Sequence, residues 1–365
     1  MNPTQELHEL GQSLWLDNIT RGILDDGTLK RYIEDDAITG LTSNPTIFDQ
    51  AIGGGGDYDD QIGELNAQGK SGEAAFFELA LQDLTRAADL FRKVHRQTNG
   101  VDGWVSLELS PLLADDTQGS IEAATKLHAQ GKRENLFIKI PGTPAGVPAI
   151  EDSIFNGVPI NVTLLFSREQ YLASANAYMR GIERRLEAGR DPKVGSVASL
   201  FVSRWDVAVK DKVPPELKNR LGIAIAQRTY KAYVELLASP RWKKLEEAGA
   251  LPQRMLWAST GTKDKSASDT LYIEALAAPN TINTMPEKTL MAFAEHGRVG
   301  EPMDENGGDC EQVIARFNKA GVDDAALAEQ LQREGKESFD KSWSELLKRI
   351  ADKAAQVSGK RSAQR

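Results

Sequence analysis

A short apolar stretch followed by an amphipathic helical pattern recurs eight times along this chain, and that repeat restricts the fold more than any other feature. The strand-like stretches are Ser13–Asp17, Ala37–Asn44, Gly103–Leu109, Asn135–Thr143, Pro159–Phe166, Val194–Phe201, Arg254–Thr260 and Asn280–Met285. Helical patterns follow them, among them Arg21–Asp35, Ser71–Thr98 with its stripe of Phe76, Leu84 and Phe91, Ser120–Gln130, Val147–Phe155 and Arg168–Ala188. The count and order predict an α/β (β/α)8 TIM barrel with additional N- and C-terminal helices. A doubly wound open sheet is the structural alternative, but it gives no reason for polar residues inside so many strand ends.

No second domain boundary is visible, so residues 1–365 are expected to form one barrel domain. Residues of about 286–357 supply the last barrel helix and further helices near Asp309–Lys319, Asp323–Arg333 and Lys336–Val357, and 358–365 form a basic, disordered tail. The Gly53–Gly56 run lacks the Lys-Ser/Thr of a P-loop and reads as a flexible loop.

A net charge of −9 argues against nucleic acid and requires a local cation cluster for any phosphorylated substrate. No stretch approaches the ~20 apolar residues of a membrane span, and Cys310 has no partner for an intrachain disulfide. These features predict a soluble, cytoplasmic protein.

Lys139 is the anomaly among the strands. Asn135-Leu136-Phe137-Ile138-Lys139-Ile140-Pro141 alternates so that Ile138 and Ile140 share one side and Phe137 and Lys139 the other. With helices covering the isoleucines, the lysine points inward. An ammonium in apolar surroundings yields free amine, a nucleophile toward carbonyls. The bland alternative is a lysine that snorkels from a strand end or is ion-paired.

The same alternation places Asp17 with Trp15, Asn44 with Thr42, Glu108 with Ser106, Asn161 with Thr163, and Ser199 on the inner side of their strands, each near a strand end. On the seventh strand it sets Ser259 against Leu256 and Ala258, which makes Ser259 the inward residue there. Each member alone has an ordinary explanation as a turn former or small core residue. Their convergence on one mouth around a lysine points to a site.

The chemistry that fits is imine formation. Lys139 adds to a ketose carbonyl, Glu108 shuttles the dehydration proton with a water held by Thr163, and Asp17 takes a hydroxyl proton during bond cleavage. Asn44 and Asn161 hold the hydroxyls, while Arg204 after strand six and Lys263 after strand seven are the phosphate cations. No metal or other cofactor is expected, since His8, His95, His128 and His296 lack ligand spacing.

At these residues the sequence resembles the transaldolases, Schiff-base transferases of the pentose phosphate pathway. The most specific stretches are Leu41-Thr42-Ser43-Asn44-Pro45-Thr46, Phe137-Ile138-Lys139-Ile140-Pro141-Gly142-Thr143, Asn161-Val162-Thr163-Leu164-Leu165-Phe166 and Ser199-Leu200-Phe201-Val202-Ser203-Arg204. The resemblance implies Lys139 as imine former, Glu108 with Thr163 as the water-activating pair and Asp17 as base. It also implies Asn44, Asn161 and Ser199 as substrate contacts, and Arg204 as a phosphate ligand. The implied reaction moves dihydroxyacetone from sedoheptulose 7-phosphate to glyceraldehyde 3-phosphate, so the partners are small phosphorylated ketoses and aldoses. The assembly state stays open between monomer and homodimer.

Many transaldolases carry a second phosphate arginine after strand seven; here that stretch is Ala258-Ser259-Thr260-Gly261-Thr262-Lys263, as in a longer subgroup, which leaves Lys263 as the candidate. One rival reading is a fructose-6-phosphate aldolase-type enzyme, whose members typically carry Gln and Tyr where this chain has Glu108 and Phe201. Another is a sugar-phosphate-binding barrel without turnover, which has no use for an inward amine beside two carboxylates.

Overall fold

The computed structural model of the chain describes residues 2–363. Eight parallel strands close in sequence order: β1 (Ser13–Asp17), β2 (Ile38–Thr42), β3 (Val105–Glu108), β4 (Leu136–Pro141), β5 (Ile160–Leu165), β6 (Ser196–Phe201), β7 (Arg254–Ala258) and β8 (Thr281–Met285), which pairs back onto β1. Helices alternate with them, so this is the expected (β/α)8 barrel with extra helices. Among the described residues no helix is long and apolar enough to cross a membrane.

Side-chain alternation sorts the strands into two apolar layers. Leu14, Leu16, Ile138, Ile140, Val162, Leu200, Met255 and Trp257 face the surrounding helices in the larger core. Trp15, Phe137, Val197, Leu256 and Ile282 belong to a second cluster that fills the barrel. Trp104 stacks on Phe137 with centroids 4.0 Å apart, so the N-terminal end is plugged by aromatic rings. Trp15 fits because Gly40 opposes it: a Cβ there would lie 2.5 Å from the indole. Below the plug Trp15 Nε1 donates to Asp102 at 2.8 Å and Arg254 donates to Ser13 Oγ at 2.7 Å. With the N-terminal end filled in this way, the polar side chains of the strand ends gather at the C-terminal mouth.

Several elements differ from the sequence reading. The second strand ends at Thr42, and Pro45 opens an unexpected helix, Pro45–Gly53, at its first turn, capped by Asn44; a further helix, Asp59–Ala67, follows the glycine run. The pattern over 21–35 is two helices, Arg21–Asp25 and Thr28–Asp35, separated by Gly27 at φ 77°. At the C-terminus the two predicted helices are one, Asp324–Ala363, which runs on through residues expected to be a loose tail; residues 364 and 365 lie outside the described ones. Gly335 reads as a break yet sits mid-helix, where a Cβ would lie 2.9 Å from Leu164 Cδ2 and 3.1 Å from Arg204 Nη1. It is a glycine of close approach, placed where the terminal helix crosses the barrel mouth.

Candidate active site

Lys139 projects from β4 into the barrel between its register partners, Glu108 on β3 and Asn161 on β5. Its Nζ donates to Glu108 Oε2 at 2.9 Å and to the Ser43 carbonyl at 3.1 Å, with lysine and glutamate only 5% and 7% exposed. The surroundings are therefore not the apolar ones expected from the strand pattern. The amine lies in a polar cage, because the strands on its β3 side also turn polar residues inward at that level. Burial pushes the Glu108 carboxyl above its ordinary range, Lys139 and Arg204 oppose that rise, and Asp17 adds to it. A carboxyl so perturbed, in hydrogen-bond contact with an amine, is a ready proton acceptor and donor.

Asp17 closes β1 on the same side. Its Oδ1 accepts from Thr42 Oγ1 at 2.7 Å, and Thr42 Oγ1 lies 2.6 Å from Thr284 Oγ1 on β8. Burial raises the Asp17 carboxyl; Lys139, the Thr42 bond and Lys263 pull it back. Asn161 is knitted between neighbours, accepting from Ser199 Oγ at 2.7 Å and donating to Ser106 Oγ at 3.1 Å. Thr163 Oγ1 is buried and has no protein hydrogen bond among the described residues. Asn44 sits at the rim, its Oδ1 accepting from Ile47 N at 3.0 Å as a helix cap, with no protein partner for its amide nitrogen among the described residues.

Arg204 follows β6 in the helix Ser203–Val209. Its guanidinium lies 4.9 Å from the Phe201 ring centroid and 5.8 Å from that of Phe339, and makes no hydrogen bond or ion pair among the described residues. Burial pulls it down, against the charges of Glu108 and Glu334. A planar fork fixed by stacking, with its N–H groups uncommitted, is a fitting receptor for an oxyanion. Arg204 lines a pocket of about 830 Å³ together with Ser203, Ser259, Lys263, Leu331 and Glu334. Lys139 is not on its wall: the lysine and Glu108 line a space of about 10 Å³ beneath Leu164, Lys336 and Phe339.

Ser259 reaches that pocket by a different route from the one expected. On β7 the inward residues are Leu256, beside Ser199, and Ala258, beside Phe201, so alternation turns Ser259 outward. It is brought back because its backbone leaves the strand at φ 55°, and its Oγ lies 2.9 Å from Ser203 Oγ. The parity failed because Trp257, the largest residue of that strand, faces the helices. With Asn161 and Thr163 inward, alternation would turn Leu164 outward, but the register shifts between Val162 and Leu165, Leu164 takes φ 57°, and its side chain joins Phe166, Phe201 and Phe339 above the lysine.

Sequence reasoning did not mark Thr284 or the terminal-helix residues. Thr284 had a signal, since it shares parity with the inward Ile282. Gln332, which donates to the carbonyls of Gly142 and Leu164, Lys336, which pairs with Asp115, and Phe339 had none beyond an apolar helix face. Among the described residues no group of histidine, cysteine, aspartate and glutamate side chains is arranged to hold a metal ion.

The chain as a whole is similar to known proteins. The family model described as Transaldolase/Fructose-6-phosphate aldolase matches residues 14–350, from the first strand into the terminal helix. The chain belongs to the transaldolase/fructose-6-phosphate aldolase family. A relative from Renibacterium salmoninarum, named transaldolase, is 43% identical over 358 residues, 96% of each chain. Proteins of the same name from Saccharopolyspora erythraea, 43% identical over 97% of this chain and 98% of theirs, and Thermobifida fusca, 42% identical over 97% and 99%, match as extensively. The transaldolase/fructose-6-phosphate aldolase match thus takes in all eight strands that build the mouth.

Proposed function

We propose that this chain is a transaldolase, an enzyme that transfers a dihydroxyacetone unit from sedoheptulose 7-phosphate to glyceraldehyde 3-phosphate through an imine on Lys139. The observation that carries this reading is the buried Lys139 amine 2.9 Å from Glu108, with Asp17 inward on the same mouth. The names of the relatives favour the transferase over the aldolase within the family.

Transfer of a proton from Lys139 to Glu108 frees the nitrogen lone pair, which attacks the ketose carbonyl. Glu108 then returns a proton to the carbinolamine hydroxyl, water leaves with Thr163 as its hydrogen-bond partner, and a protonated imine remains. Asp17 removes the proton of the hydroxyl on the departing carbon of the bond that breaks, and that oxygen becomes the aldose carbonyl. The bonding electrons pass into the imine, the aldose departs, and the three-carbon unit stays on the enzyme as an enamine. Acceptor addition runs these steps in reverse, with Asp17 giving the proton back. Asn44, Asn161 and Ser199 orient the donor hydroxyls, Arg204 and Lys263 hold the phosphate, and Ser259 lines its pocket.

Borohydride reduction in the presence of fructose 6-phosphate, followed by intact mass measurement, tests the covalent step: a reduced three-carbon or sugar adduct is expected, absent in Lys139→Ala. An unmodified wild-type mass overturns the reading. Products separate transferase from aldolase, because free dihydroxyacetone released at the rate of donor cleavage without acceptor is the aldolase outcome.

A further inference from the structure

The Asp17 carboxylate is held by a chain that starts on the far side of β1. Thr42 and Thr284 flank that strand, on β2 and β8, and are 2% and 3% exposed. Thr42 Oγ1 is 2.7 Å from Asp17 Oδ1 and 2.6 Å from Thr284 Oγ1. A carboxylate only accepts, and a threonine hydroxyl has a single proton. Once Thr42 gives its proton to Oδ1, the bond between the threonines needs the proton of Thr284.

We infer that Thr284 is a positioning residue for Asp17, acting through Thr42 in the reaction proposed above, on which this inference rests. Its donation fixes the Thr42 hydroxyl toward Oδ1 and leaves Oδ2 as the oxygen that takes the substrate proton. The step balances simply: the O–H bond of the substrate breaks, its proton goes to Oδ2, and the electron pair of the cleaved carbon–carbon bond enters the imine. Donation from Thr284 also polarises the Thr42 O–H and favours the carboxylate. The charged groups acting on Asp17 are Lys139 from β4 and Lys263 from the segment after β7, which favour its ionised form, and Glu108 from β3, which opposes it.

Thr284→Val keeps the shape and removes the donor. The expected result is a roughly fivefold to tenfold lower kcat for donor cleavage, the size of one hydrogen bond, with KM little changed. The acid limb of the kcat profile moves to higher pH, because the carboxylate loses support. Thr284→Ser restores both, and Thr284→Val added to Thr42→Val costs nothing further, as members of one chain do not add. Thr284→Ala serves the same purpose if the valine variant fails to fold. Wild-type kcat and acid limb in the valine or alanine variant, or full additivity with Thr42→Val, overturns the inference. Asp17→Asn separates the two claims: loss of cleavage with the borohydride adduct still formed upholds Asp17 as base, whereas retained cleavage removes that base and the inference with it.

Discussion

Replacing Lys139 by methionine removes one half of a buried pair and leaves the other half to find its own remedy. The Glu108 carboxyl is 7% exposed, its nearest cation is Lys139 at 2.9 Å, and burial already raises it above its ordinary value of 4.5. In Lys139→Met the carboxyl rises further and folds in its protonated form, since an uncompensated buried charge costs several kcal/mol. Holding that proton at neutral pH has a calculable cost. The unfolded chain releases it above 4.5, so the folded chain loses about 1.4 kcal/mol per pH unit, or about 3 kcal/mol at pH 7. The sign follows from the raised folded value: this contribution is intact below 4.5 and is lost as pH rises toward the folded pKa. Urea midpoints of wild type and variant, compared at equal m between about pH 6 and pH 8, should therefore diverge as pH rises, by up to about 1.4 kcal/mol per unit. Adding Glu108→Gln removes the proton and should flatten the difference. A pH-independent deficit in Lys139→Met, or a double variant that diverges as steeply as the single one, refutes this account of the pair.

Arg204→Gln should raise KM for a phosphorylated donor by roughly 10- to 100-fold, the range of one or two charge-assisted bonds, and leave an unphosphorylated donor unaffected; steady-state kinetics on both donors checks it. Thr163→Val should lower turnover by about 100-fold or more with the unfolding midpoint essentially kept, because Oγ1 bonds to no protein group among the described residues; equal turnover would remove Thr163 from the dehydration step. Gly103→Ala should cost at least about 3 kcal/mol by denaturant titration, since Gly103 has φ +79° and a Cβ would lie 2.3 Å from the His95 backbone nitrogen. Gly300→Ala, with open space around the added carbon, is the control and should stay within about 0.5 kcal/mol.

Much of the site was readable because a strand has a period of two and a barrel has one inside. Lys139 faces inward since Ile138 and Ile140 must face the helices, and the same rule carries Asp17, Thr42, Glu108, Asn161 and Ser199 to the interior. The rule fails wherever the backbone leaves the strand. Leu164 and Ser259 both take positive φ: Leu164 presents its side chain on the face that counting denies it, and Ser259 lines the pocket although the observed parity of β7 turns it outward. Neither residue type announces such a turn, because the surrounding packing imposes it.

Local pattern alone settled the number of strands, their order and the face on which the lysine lies, for those depend on neighbours one or two residues away along the chain. Tertiary structure decided that the amine meets Glu108 and the Ser43 carbonyl rather than apolar groups, and that Thr284 reaches Thr42 over a sequence separation of 242 residues. It also decided that the helix Asp324–Ala363 lays Gln332, Gly335 and Phe339 over the mouth. Those contacts arise from closure of the sheet and docking of a helix, and the energy that selects them is shared between segments that carry no mark of one another.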